Sequence, residues 1–258
     1  LRDSAISIAT KLNLRGPVNL HFLLANDQIY LLQIKSYSGH NVAFLTKALK
    51  KDITAITMKV LLGSTLSELD LPSDIWPSND LIHVKMPVFS YLSYSSENTF
   101  DSKMKTSGSV MGRAKHLPTA LFKGYEGSDL MISTYGTVFI SVKDSEKHNA
   151  IKIAARFHQL GFKLLATEGT ANVLAEEGIT TGIIEKVQEG SNSLLEKIKQ
   201  HRINLVINVT SLSDSASHDA IMIKDAALST HIPVFSSLQS AQDVLIVLET
   251  LAMTTQPL

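Results

Sequence analysis

At 258 residues, with lysine plus arginine (24) equal to aspartate plus glutamate (24), the chain has no basic surplus to recruit nucleic acid or an anionic membrane. It contains no cysteine, which excludes disulfides, thiolate nucleophiles and cysteine-ligated metals and suits a reducing cytoplasm. Its apolar runs are short, so the expectation is a soluble protein with no membrane partner, long enough for two domains.

In chain order, Ala5 to Leu12 has helical apolar spacing, and it follows so closely on Leu1 that the chain reads as a fragment without a signal peptide. Asn19 to Leu24 and Ile29 to Ile34 read as strands joined at Asn26-Asp27, a hairpin. One helix is expected from about Val42 to Leu62, closed by Gly63, and Pro72 to Pro77 reads as loop. Leu81 to Phe89 alternates as a strand, with Pro87 assigning it to an edge. Ser90 to Thr106 is polar and irregular, Lys105 to Gly112 leads into a strand, and Pro118 to Tyr125 is a short helix. Gly124, Gly127 and Ser128 mark a linker zone, so the domains are expected at 1–125 and 136–258, with 126–135 between them.

Beyond the linker, strands near Thr137 to Val142, Phe162 to Ala166, Gly182 to Val187, Leu205 to Val209 and Pro233 to Ser236 alternate with helices. Those helices are expected at Glu146 to Leu160, Ala171 to Glu177, Ser193 to His201, Asp219 to Thr230 and Ala241 to Met253. Such alternation specifies an α/β fold on a mainly parallel sheet, whose ligands sit at the carboxyl ends of the strands. The stretch Thr167-Glu168-Gly169-Thr170 follows an apolar strand and opens a helix, which makes either a capped βα turn or an anion pocket. The other strand ends carry Lys143 to Lys147, Glu185-Lys186, Asn208 to Ser211 and Ser236-Ser237. Lysines, hydroxyls and a helix N-terminus on one edge suit a phosphate monoester.

The segments Gly136 to Lys147, Gly161 to Ala171, Lys186 to Gly190 and Val206 to Ser211 resemble the C-terminal regulatory domain of carbamoyl-phosphate synthetase large chains, which has the methylglyoxal-synthase-like fold. Leu14 to Asn19, Phe44 to Ala48 and Lys105 to Gly112 resemble the end of the second ATP-grasp unit of the same large chains, so the resemblance covers nearly the whole chain in collinear order. It implies a C-terminal portion of an ATP-dependent ligase that makes carbamoyl phosphate from bicarbonate and glutamine-derived ammonia for arginine or pyrimidine biosynthesis. Its partners would be the remainder of the large chain, a glutaminase small chain and a small phosphorylated effector, with ATP and magnesium as cofactors of the full-length enzyme. The effector positions that match are Lys147, Thr167, Thr170, Lys186, Asn208 and Thr210. They coincide with the strand-end cluster.

Where the family carries magnesium ligands, this chain has His21, Gln33 and Lys35, and Tyr37 replaces the arginine that follows. A neutral amide and an ammonium do not make a magnesium site, so the ATP half reads as impaired. The fragment is not expected to catalyse alone, and no catalytic residue is assigned. The alternative is a degenerate relative whose ATP half is scaffold and which only binds a phosphorylated ligand. Methylglyoxal synthase shares the fold, but its aspartate in a Gly-Gly-Asp context has no match at Val209-Thr210-Ser211. His218-Asp219 lacks a nucleophile elbow and reads as a helix cap, and His148, His158 and His201 read as solvated.

Overall fold

The computed structural model describes residues 1–36, 41–72, 76, 79–89, 106–128, 130, 132–185, 193–210 and 214–254. Tyr37, Lys105, Lys186 and Ser211 lie outside them, as does most of the irregular stretch 90–106. Contacts divide the chain into two compact units, Leu1–Asp80 and Leu81–Leu258.

In the first unit, α1 (Arg2–Lys11) precedes the antiparallel hairpin of β1 (Val18–Ala25) and β2 (Gln28–Ser36). Asn26 and Asp27 form its two-residue turn with φ of 50° and 57°, the left-handed backbone that these two residue types tolerate best after glycine. The single helix expected over 42–62 is instead two, α2 (Val42–Leu49) and α3 (Ile53–Leu61). Lys50 turns left-handed at φ 53°, and the Asp52 carboxylate accepts the Ala55 N–H at 2.9 Å. A cap inside a continuous helical period is therefore what breaks it. Gly63, at φ 109°, follows the end of α3 as expected. Among the described residues of this unit only Ala48 and Thr57 are buried, whereas Leu24, Leu32 and Leu62 are 61%, 64% and 83% exposed.

The second unit begins with the antiparallel pair β3 (Ile82–Phe89) and β4 (Thr106–Ala114). Pro87 sits opposite Ser109 in a two-stranded ribbon, where each strand keeps an unpaired side that needs no N–H. Helix α4 (Leu117–Gly127) buries Ala120, Leu121, Gly124 and Tyr125. Leu121 and Tyr125 share a core with Val138, Phe157, Phe235 and Val244, and Val84 and Met86 pack against it. The described residues of 81–125, assigned from sequence to the first domain, thus belong to the compact unit of the C-terminal sheet. The contact division follows this apolar face, whereas the boundary at 126–135 rests on small polar residues.

The sheet has five parallel strands in the order β7-β6-β5-β8-β9: β5 (Thr137–Val142), β6 (Lys163–Thr167), β7 (Gly182–Ile184), β8 (Leu205–Val209) and β9 (Val234–Phe235). Between and after them run α5 (Lys147–Gln159), α6 (Glu168–Glu176), α7 (Ser193–Lys199), α8 (Asp214–Ser229) and α9 (Leu238–Thr254). One core joins Val138 and Ile140 to α5, α6 and α9, and a second joins Phe139 and Val206 to α7 and α8. Val138, Phe139 and Ile140 of β5 and Leu205, Val206 and Ile207 of β8 are thus buried at successive positions, as a doubly covered parallel strand requires. Three expected helix starts in this layer move, that of α9 from Ala241 to Leu238. Helix α6 begins at Glu168, not Ala171, and α8 begins at Asp214, which places Asp219 inside the helix rather than at its cap.

Two contacts fix the lower and outer margins of this layer. The Asn204 carboxamide oxygen accepts the Thr137 N–H at 2.8 Å while the Asn204 N–H donates to the Thr137 carbonyl at 2.8 Å, joining β5 to the approach of β8. Gly136, at φ 118°, makes this possible, because an added Cβ would lie 2.0 Å from that oxygen. Gly136→Ala is expected to cost about 1–3 kcal/mol in backbone strain, seen as a lower urea midpoint; an unchanged midpoint would refute the assignment.

Tyr125 packs edge-on against Phe235 at 6.3 Å. Burial, with the Asp243 carboxylate adding to it, pushes the Tyr125 phenol up to about 12. The ordinary value is about 10, so the folded state holds this proton more tightly than the unfolded chain. Its contribution is complete below pH of about 10 and is lost as pH rises from there to about 12. In urea titrations, Tyr125→Phe should flatten the fall of stability across that window relative to the unsubstituted chain.

Candidate functional site

The chemistry collects where β5, β6 and β8 end. Register aligns Ala166, Ile140 and Ile207 across the three strands, all 0–1% exposed. One residue further on, the row becomes Thr167, Ser141 and Asn208. The sheet therefore passes from a dry interior to a line of hydroxyls and an amide in a single step. Strand β5 is flanked by β6 and β8, and the chain leaves it first towards β6 and β7 before returning to β8. That reversal is the crevice where doubly wound sheets bind ligands.

Lys143 extends the β5–β8 pairing, its N–H donating to the Val209 carbonyl at 2.8 Å. A 3-10 turn over Asp144–Glu146 follows and runs directly into α5, whose first residue is Lys147. The Lys147 side chain is only 19% exposed. Its ammonium pairs with Asp144 at 2.8 Å, and it lies over Gly169, where an added Cβ would stand 2.8 Å from Nζ. Gly169 is the second residue of α6, so the absence of a side chain lets the ammonium approach the first turn of that helix.

Thr167 is the N-cap residue of α6 but makes no side-chain capping hydrogen bond. The sequence alternative of an ordinary capped turn is thereby corrected. The Thr167 hydroxyl is turned instead towards Ser141 Oγ at 3.4 Å and Thr170 Oγ1 at 3.3 Å. Its single proton serves one or the other. Thr170, 1% exposed, also accepts the Val142 N–H at 3.4 Å, which ties α6 to the end of β5. Accepting from Val142, Thr170 keeps its own proton to donate. The first N–H groups of α6 have no intrahelical partner, and the Thr167 side chain does not cap them. Thr167 and Asn208 are each 6% exposed, and Thr210 is half-buried just beyond β8.

Of the residues proposed from sequence, Thr167 and Thr170 are within hydrogen-bond distance of each other, Lys147 covers the first turn of the helix that contains Thr170, and Asn208 and Thr210 stand at the end of β8. Lys186 lies outside the described residues. Ser141 was missed, and Asp144 was named only within the strand-end stretch Lys143 to Lys147. The sequence signal for Ser141 was its position one residue before the end of β5, and for Asp144 its placement three residues before Lys147.

In the first unit, His21 and Gln33 are direct partners across the hairpin and Lys35 pairs with Asn19 two positions along, so period-two alternation puts all three on one face. All are exposed. They do not fit magnesium, since they offer an imidazole, a neutral amide and an ammonium and no carboxylate. Among the described residues, no three histidine, aspartate or glutamate side chains gather as a metal site. A cleft of about 530 Å³ in this unit, lined by Ala5, Leu20, Phe22, Lys35 and Val42 among others, likewise includes no acidic residue.

Thr170→Val keeps the shape but leaves the Val142 N–H without this acceptor and removes a buried hydroxyl. About 1–3 kcal/mol of stability should be lost, and Thr170→Ser should recover most of it in the same urea titration.

Residues 149–236 match the family model of the MGS-like domain. The matched span includes Thr167, Thr170, Asn208 and Thr210 and begins two positions after Lys147. A solved structure titled "Crystal structure of ForH" is similar with a TM-score of 0.37 and 22% sequence identity, over 45% of this chain and 80% of that one. No helix of the described residues is long and apolar enough to cross a membrane. The α/β architecture with its five-stranded parallel sheet carries an MGS-like domain, located at residues 149–236.

Proposed function

We propose that the ends of β5, β6 and β8 bind a small phosphorylated anion, and that this domain is the effector-binding part of a large chain of the carbamoyl-phosphate synthetase kind. The observation that carries the reading is the Lys147 ammonium, mostly shielded from water and lying over the first turn of α6. A helix N-terminus carries partial positive charge, so a lysine there is stabilised by an anion shared between the two. Phosphate fits that demand with charge for the lysine and acceptors for the helix N–H groups and for the hydroxyls of Thr167 and Thr170. Asn208 and Thr210 stand where they would read the rest of the ligand, and Lys186 is assigned as a second cation by resemblance alone.

The first unit is proposed to be the end of an ATP-grasp domain. The exposed leucines of β2, with Leu32 at 64%, support its being part of a larger layer. In that reading, ATP-dependent synthesis of carbamoyl phosphate and the glutaminase partner belong to the whole enzyme, and the present chain supplies regulation. The donor set His21, Gln33 and Lys35 favours a second reading, in which the ATP half is scaffold and ligand binding is the working activity.

Titration calorimetry with ribose 5-phosphate, and separately with ATP and magnesium, tests both. The phosphate monoester should bind, and Lys147→Met should weaken it at least about tenfold, one charge-assisted contact of about 1.4 kcal/mol or more. Absence of binding, or equal affinity in the variant, would overturn the site. Binding of magnesium-ATP through Gln33 and Lys35 would overturn the scaffold reading of the first unit.

A further inference from the structure

We propose that Asp144 sets the charge threshold of this site, so that it accepts dianionic phosphate monoesters and excludes monoanionic carboxylates. The inference rests on the phosphate reading above and specifies its ligand class. The Asp144 side chain is 95% exposed and its oxygen lies 2.8 Å from Lys147 Nζ, whose side chain is only 19% exposed. The carboxylate therefore meets the ammonium from the solvent side, while the ammonium itself reaches inward over Gly169. Asp144 belongs to the 3-10 turn that runs into α5, and Lys147 is three residues later. It is tethered where an incoming anion must arrive.

A tethered group competes at an effective concentration in the millimolar range or above. A free carboxylate brings the same charge and the same acceptor chemistry as Asp144, so it gains no advantage at Lys147 and meets repulsion from the carboxylate already there. A phosphate monoester at neutral pH brings close to two charges and three acceptor oxygens. It can hold the lysine while also engaging the N–H groups of α6 and the threonine hydroxyls. Only a ligand of that class displaces the internal carboxylate with a net gain. Because exposed ion pairs are individually weak, the threshold is a matter of selectivity and leaves phosphate binding intact.

The test is calorimetric titration at pH 8 with methyl phosphate and acetate, a minimal dianion and monoanion, on the unsubstituted protein, Asp144→Asn, Lys147→Met and the double variant. Exposure of Asp144 makes Asp144→Asn compatible with the fold, which a thermal melt checks. Asp144→Asn should tighten methyl phosphate about three- to tenfold and bring acetate into the measurable range, and both gains should vanish when Lys147 is Met. Unchanged or weaker binding in Asp144→Asn would overturn the inference. So would a gain that survives in the Lys147→Met background, which would make it a general surface-charge effect. Methyl phosphate binding to Asp144→Asn but not to the unsubstituted protein would overturn the stated threshold and the proposed phosphate function, as would no binding to either, whereas equal binding to both would overturn the role of Asp144 alone.

Discussion

An ammonium group resting on the first turn of a helix is electrostatically misplaced unless something negative is shared between them. That constraint organises the C-terminal unit. Lys147 reaches its position because β5 ends in a 3-10 turn with no intervening loop, so the first residue of α5 stands beside the opening of α6. Gly169 leaves room for it, and Thr167 declines to cap the helix that it precedes. Each of these is a local choice of residue type. Together they leave the N–H groups of the first turn uncapped by that side chain next to a cation whose carboxylate partner is Asp144, the arrangement on which the proposed anion site rests.

The same site depends on the core directly beneath it. Ala166, Ile140 and Ile207 are fully enclosed, and the row after them is Thr167, Ser141 and Asn208. Parallel pairing keeps the three strands in register, so polar groups that are 26 to 67 positions apart in sequence come level at one edge. A slip of one residue in any of these strands would exchange an apolar and a polar position and destroy both core and site. The Asn204–Thr137 pairing and the left-handed Gly136 fix that register from the opposite end of β5.

Much of this was legible in the sequence, and the limits have physical reasons. Strands β5 and β8 were readable to the residue because each carries three successive apolar residues, Val138 to Ile140 and Leu205 to Ile207, the mark of a strand covered on both faces. The start of α6 was placed three residues late because its first turn is Glu-Gly-Thr, which reads as loop by propensity, whereas the buried Thr170 ties that turn to the end of β5. The break between α2 and α3 was hidden by an apolar period that continues through Lys50. Thr167, Thr170 and Asn208 were nameable from their positions at strand ends, but the mutual hydrogen bonds of Thr167, Ser141 and Thr170 are tertiary facts with no local signal. The allegiance of α4 to the second core likewise depends on what its apolar face meets, which periodicity alone does not specify.

Helix α5 connects the site to the rest of the unit. Lys147 opens the helix, and nine residues later Arg156 clasps Glu249 of α9 through two hydrogen bonds of 2.7 Å. At 1.5 Å per residue the two points are about 13 Å apart along the axis. Between them Ala150, Ile153 and Ala154 are packed into the core, so the distal part of α5 is held by burial and by a bidentate ion pair. The 3-10 segment before the helix has no buried residue, and its Asp144, paired with Lys147, is 95% exposed. Compliance is therefore concentrated where the ligand's charge would act, with a rigid helix behind it and α9 at the far end. A site built in this way can rearrange its cation and acidic competitor without disturbing the core on which it stands.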